Sequence, residues 1–252
     1  VLKNNYRSQG PKFSKKDAEA RSSRLTELDI AMIHQLSREH SFRMKKLENS
    51  FEASDASSPR KSKRSGPQQD SLLLEYSPIQ AAAYAASRVP PIYGAIHKVF
   101  AELSMRLPTF QPKRVLDFGS GLGPTFWAAQ EIWPGRMKEA TAVEQSKAMT
   151  ELADDVAVRL GRVEMPVIPL RLPFLSSIPK ERFKQHYDLV VASYVLGEFL
   201  DEAQMVERVH DLWFLTGDVL VLVGPGTPSG FRGLMKAREA VLKRESDKAE
   251  KA

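Results

Sequence analysis

The sequence predicts an α/β protein with a Rossmann-like, mostly parallel sheet, and three features carry that expectation. The first is a short apolar run, Val115, Leu116 and Phe118, followed by Gly119, Gly121 and Gly123 and then by a helix-like segment from Thr125. Strand, glycine turn and helix in that order are what a nucleotide-type ligand needs, because glycines let backbone approach it and the helix start offers free N–H groups. The second is the alternation of near-continuous apolar strands, such as Tyr187–Ser193 and Asp218–Val223, with helical segments. That rhythm argues for parallel strands covered on both faces. The third is Glu144, 27 residues beyond Asp117 and at the tip of the next strand. An acidic residue there accepts hydrogen bonds from a ribose diol.

Taken in order, residues 1–16 are polar and basic without periodicity and read as an extended tail. From Asp17 to Phe51, Leu25, Leu28, Met32 and Leu36 fall on one stripe, which predicts an amphipathic helix. Residues 52–70 form a Ser-rich linker containing Arg60, Lys61, Lys63 and Arg64, too polar to order itself by burial. Ile79–Arg88 is a helix rich in alanine, a composition that allows close packing or close approach of a ligand. The Val89-Pro90-Pro91 step is expected to end it, with a second helix from Ile92 to Met105. After the glycine turn come a strand at Ala140–Val143, a helix at Met149–Leu160 and a short strand near Val167–Leu170. The strongest later strand is Tyr187–Ser193, then a helix over Glu202–Leu215, a strand at Asp218–Val223 and a charged helix over Gly230–Lys251. This gives an arm over residues 1–70, a helical prelude over 71–112 and the sheet domain over 113–252.

Charge divides the chain. Residues 1–70 hold 15 Lys and Arg against 9 Asp and Glu, whereas residues 71–252 hold 22 of each, so the arm carries the whole excess of +6. A basic, unpatterned arm suits contact with nucleic-acid phosphates, which gives affinity without base selectivity. Arg60, Lys61, Lys63 and Arg64 are the candidate RNA contacts. No apolar run is long enough to span a membrane. The chain has no cysteine, which excludes thiolate metal sites and cysteine nucleophiles within it. Its five histidines have no metal-ligand spacing.

The glycine spacing, Asp117-x-Gly119-x-Gly121-x-Gly123, is not that of the dinucleotide fingerprint. A carboxylate before the first glycine repels a pyrophosphate and suits a ligand bearing an ammonium group. The stretch resembles motif I of class I S-adenosylmethionine-dependent methyltransferases. More narrowly, the blocks Tyr84–Pro90, Leu116–Gly121, Phe126–Ala129, Ala192–Glu198 and Pro225–Phe231 are, in that order, similar to the methyltransferase-like proteins of the mitochondrial small ribosomal subunit. The resemblance implies a class I methyltransferase fold whose closing strands have no counterpart in this chain. It also implies a mitochondrial matrix location, with small-subunit ribosomal RNA and ribosomal proteins as partners. S-adenosylmethionine is the implied cofactor, with Asp117, Gly119, Ser120, Gly121, Gly123, Glu144, Ser193 and Tyr194 as its candidate contacts. Members carry a cysteine cluster after the Gly-Thr-Pro block that in some holds an iron–sulfur cluster; without cysteine, that group is not assigned to this chain. The family also tends to place an acidic residue where Gly224 stands.

Chemistry narrows the activity. Methylation of a cytosine ring carbon needs a cysteine nucleophile, and exocyclic-amine enzymes use an Asn/Asp-Pro-Pro-aromatic clamp after the fourth strand. Here that position reads Ala192-Ser193-Tyr194-Val195-Leu196, so no catalytic residue is named, and Tyr194 and Glu198 are candidates for lining the site. The first expectation is an RNA-binding ribosomal component or assembly factor. The alternatives are an active ribosomal-RNA methyltransferase and a methyltransferase acting on protein or a small molecule.

Overall fold

The computed structural model describes residues 76–160, 169–199 and 201–250. The N-terminal arm, its amphipathic stripe and the cluster Arg60, Lys61, Lys63 and Arg64 lie outside the described residues.

Two helices open the described chain, α1 (Pro78–Ser87) and α2 (Val89–Arg106). Ser77 caps α1 in a reciprocal box, its hydroxyl accepting from the Gln80 N–H while the Gln80 side chain accepts from the Ser77 N–H. The break between the helices is shorter than the prolines suggest. α2 starts at Val89 and takes Pro90 and Pro91 into its first turn, where N–H groups have no helical partner to lose.

The sheet follows with β1 (Arg114–Phe118), α3 (Pro124–Ile132), β2 (Glu139–Val143), α4 (Lys147–Leu160) and β3 (Leu170–Leu172). The chain then passes through a short α5 (Lys180–Phe183) into β4 (Tyr187–Ser193), α6 (Glu202–Leu215), β5 (Thr216–Val223) and α7 (Pro228–Ala249). β3 lies slightly later than its expected span, and β5 and α7 each begin two residues early. All five strands are parallel, in the order β3-β2-β1-β4-β5. β1 is central, so the turn that follows it opens beside the ends of both β2 and β4.

Alternation along the strands divides the core. Val115, Ala142, Leu189 and Val191 face α2 and α3 through Ile96, Phe100, Phe126 and Trp133, all buried. Leu116, Val143, Val190 and Ala192 face the other way, onto Leu212 and Leu215 of α6. Burying each such side chain stabilises the fold by about 1.5–3 kcal/mol. A third cluster joins Ala81 and Val89 of the prelude to Leu122, Met149 and Ala153. The small alanines let α1 settle against α4, and this places the prelude over the carboxyl edge of the sheet.

Candidate functional site

The turn after β1 is fixed by backbone geometry that only glycine adopts easily. Gly119, Gly121 and Gly123 have φ of 69°, 50° and 87°. The N–H groups of Gly119 and Ser120 both donate to the Val143 carbonyl, at 2.9 and 3.1 Å, tying the turn to the end of β2. At Gly119 a β-carbon would also come within 2.8 Å of Val195 Cγ2. Gly121 faces open space instead.

Glu144 locks this turn. One carboxylate oxygen accepts the Gly121 N–H and the other accepts the Ser146 N–H, each at 2.8 Å. The Gln145 N–H is a third backbone donor to this carboxylate, which leaves it one acceptor site. Burial raises the affinity of Glu144 for its proton, and backbone N–H donors from Ser146, Gly121 and Gln145 oppose that rise.

Gly119, Gly121 and Glu144 form one wall of a cavity at the carboxyl edge. Ser193 and Tyr194 form part of the opposite wall, followed by Val195, Glu198 and Phe199. Tyr194 holds a φ of 59°, the one non-glycine residue with positive φ among those described. Its N–H donates to Val223 at 2.7 Å, so the end of β5 holds the strained residue in place. Tyr76 and Tyr84 close the cavity from the prelude, their rings packed edge to face with centroids 5.7 Å apart.

Asp117, Ser120 and Gly123 lie elsewhere. They are buried behind the turn rather than on the cavity wall, with Asp117 1% and Ser120 3% exposed. Asp117 Oδ1 has no hydrogen-bond partner. Burial pushes the Asp117 carboxyl up to about 8 and the nearby Glu144 charge adds to the rise, while the Thr125 hydroxyl opposes it without reaching hydrogen-bond geometry. Glu198 is likewise pushed up to about 8, by burial first and then by Glu144. Tyr76 and Tyr84 are both raised, chiefly by burial and secondarily by the Glu198 charge. Carboxylates thus gather about this edge, and its chemistry favours a ligand that brings positive charge.

Of the expected contacts, Gly119, Gly121, Glu144, Ser193 and Tyr194 meet at one cavity. Tyr76 was not anticipated as a wall residue, and Tyr84 was foreshadowed only by the alanines around it. No group of His, Cys, Asp and Glu among the described residues is placed to hold a metal.

The strand order, the left-handed glycine turn and the acidic tip of β2 define a class I methyltransferase-like fold. The sequence pattern of the mitochondrial small ribosomal subunit Rsm22 family matches residues 78–250. The chain belongs to that family, and the protein is mitochondrial. It is 38% identical over 172 residues to the human mitochondrial ribosome assembly protein METTL17, a match that covers 68% of this chain and 37% of the relative. It is 26% identical over 192 residues to the mitochondrial Rsm22-cox11 tandem protein 2 of Schizosaccharomyces pombe, covering 74% of this chain and 25% of that one. The chain therefore spans between a quarter and two fifths of the length of these relatives. Among solved structures, a Nostoc punctiforme protein assigned as an O-methyltransferase aligns with a TM-score of 0.47 and 17% identity, over 77% of this chain and 56% of that one. The plantazolicin methyltransferase BpumL, solved with S-adenosylhomocysteine, aligns with a TM-score of 0.41 and 12% identity, over 64% and 62%.

Proposed function

We propose that this protein is a small-subunit component or assembly factor of the mitochondrial matrix that binds ribosomal RNA and retains S-adenosylmethionine at the carboxyl edge of its sheet. The observation that carries the cofactor reading is the cavity in which the glycine turn, Glu144 and Tyr194 converge. The residues fit the group. Glu144 keeps an acceptor site for a ribose hydroxyl, and Ser193 Oγ is buried without a partner. The Asp117 carboxyl lies beneath the turn, where a nearby ammonium group would oppose the rise in its proton affinity without touching it. When bound, S-adenosylmethionine supplies a sulfonium methyl. The chain's own residues bind and orient it, and Tyr76 and Tyr84 screen it from water.

An acceptor clamp is what an amine methyltransferase needs beyond this, since positioning supplies most of its rate. The loop after β4 instead holds Tyr194 in a strained backbone and Glu198 against the cavity, and neither is an Asn/Asp-Pro-Pro element. This favours retention of the cofactor over its consumption. The active ribosomal-RNA methyltransferase is kept as the opposing outcome. Calorimetry with S-adenosylmethionine on the full chain tests the cofactor, and mapping of methylated small-subunit nucleotides after depletion tests the chemistry. Binding with an unchanged methylation map is expected. Loss of one methylated nucleotide would transfer the assignment to the enzyme, and failure to cosediment with small subunits would favour a protein or small-molecule methyltransferase.

A further inference from the structure

The opposite edge of the sheet, where the strands begin, carries the reverse chemistry. Lys113 precedes β1, Lys138 precedes β2, Lys180 opens the short helix α5 before β4 and Lys184 follows it. The fold binds these segments together. Lys138 N–H donates to the Lys113 carbonyl at 2.7 Å, and the Arg114 guanidinium donates to the His186 carbonyl at 2.7 Å while lying over the Tyr187 ring. Among the described residues, none of these four lysines forms an ion pair; the Lys138 ammonium reaches only the Gly135 carbonyl. Glu139 is paired with Arg114, and Asp188 accepts the N–H groups of Lys113 and Arg114, leaving Glu181 and Asp218 exposed.

Two aromatic rings stand exposed at this basic edge. Phe183 and Phe214 are 40% and 50% exposed, with centroids 5.7 Å apart. His186 packs edge-on against Phe214 at 5.9 Å, and its Nδ1 lies 2.8 Å from the Phe214 carbonyl, so the ring pair is held rather than loose. Rigid aromatic faces beside unpaired lysines suit bases and phosphates of single-stranded nucleic acid, whose unstacked bases offer their faces. Protein-docking surfaces, by contrast, are depleted of lysine.

We propose that this amino-terminal edge is a contact surface for single-stranded ribosomal RNA, with the lysines on phosphates and the Phe183–Phe214 pair stacked on a base. The inference rests on the RNA-binding reading above and adds where the RNA lies. That place is the edge remote from the cofactor cavity, so RNA held there is not presented for methyl transfer.

The test is fluorescence anisotropy of the full chain with an unstructured RNA oligonucleotide over a salt series. Replacing Lys113, Lys138 and Lys184 together by glutamine should lower the magnitude of the log–log salt slope by about 2, at roughly 0.7 per phosphate contact. The same three positions as arginine should keep the slope. Phe214→Ala should weaken binding about 5- to 150-fold with the slope unchanged, and Phe183→Ala supplies the same measurement should the Phe214 variant melt early. Affinity and slope unchanged in both series, with the parent chain binding RNA, would overturn the placement alone. A parent chain that binds no RNA would overturn the placement and the RNA reading together. Variants that keep oligonucleotide affinity but lose cosedimentation with small subunits would show a protein-docking face and refute the RNA assignment.

Discussion

Replacing Asp117 by asparagine isolates the effect of burying a carboxylate beneath the glycine turn. The unfolded chain releases this proton near 3.8, whereas the folded site holds it to about 8. Across that window the folded state binds more protons than the unfolded state, so stability falls as pH rises and levels off above the upper value. At about pH 7 the proton is held against a gap of about three pH units at ~1.4 kcal/mol each, an upper bound of about 4 kcal/mol. Asparagine is neutral throughout and escapes this cost. The Thr125 hydroxyl nearby has no partner of its own. Scanning fluorimetry from about pH 4 to about pH 8.5 should therefore show parent and variant converging at the acid end. At the alkaline end the variant should melt higher by up to about 8–16 °C, given the ~4 kcal/mol bound and about 2–4 °C per kcal/mol for a domain of this size. Parallel melting curves, or a variant less stable at high pH than at low pH relative to the parent, would refute the burial argument.

Gly119→Ala should weaken S-adenosylmethionine binding and lower Tm, because its φ of 69° and the 2.8 Å approach to Val195 both penalise a β-carbon; calorimetry and melting read the two effects. Gly121→Val has room for its side chain but forces a β-branched residue to a φ of 50° at the cavity wall, so binding should be lost while the fold survives. Unchanged binding there would remove the glycine turn from the ligand site. Phe126→Ala removes a ring with 0% exposure from between α3 and the sheet and should cost about 3–5 kcal/mol in a urea titration. Deleting residues 1–70 should reduce the salt slope of RNA binding beyond what the sheet-edge lysines contribute, and an unchanged slope would free the arm from any electrostatic role.

The sequence by itself determined the parts of this protein that local pattern encodes. Apolar runs bounded by turn residues placed β1, β2, β4 and α6 to within a residue or so, because strand and helix periods are written in successive side chains. The glycine triplet and Glu144 were legible as a ligand turn, since left-handed backbone and an acidic strand tip leave residue-level marks. The proline pair misled by context, as a step expected to break a helix lies within the first turn of one. Only the tertiary structure decided what surrounds those marks. Tyr84 and Glu198 are over a hundred residues apart, and they meet because alanines let α1 lie against α4 while the strained Tyr194 turns the chain after β4. Asp117, expected at the ligand, is instead sealed under the turn, and Glu144 spends a lone pair of each oxygen on backbone N–H groups. Composition gave residues 71–252 no net charge, yet the parallel sheet sorts that neutral set, with carboxylates where its strands end and unpaired lysines where they begin. Burial and the pairing of distant charges depend on which elements approach one another, and that approach is a property of the packed chain rather than of any stretch of it.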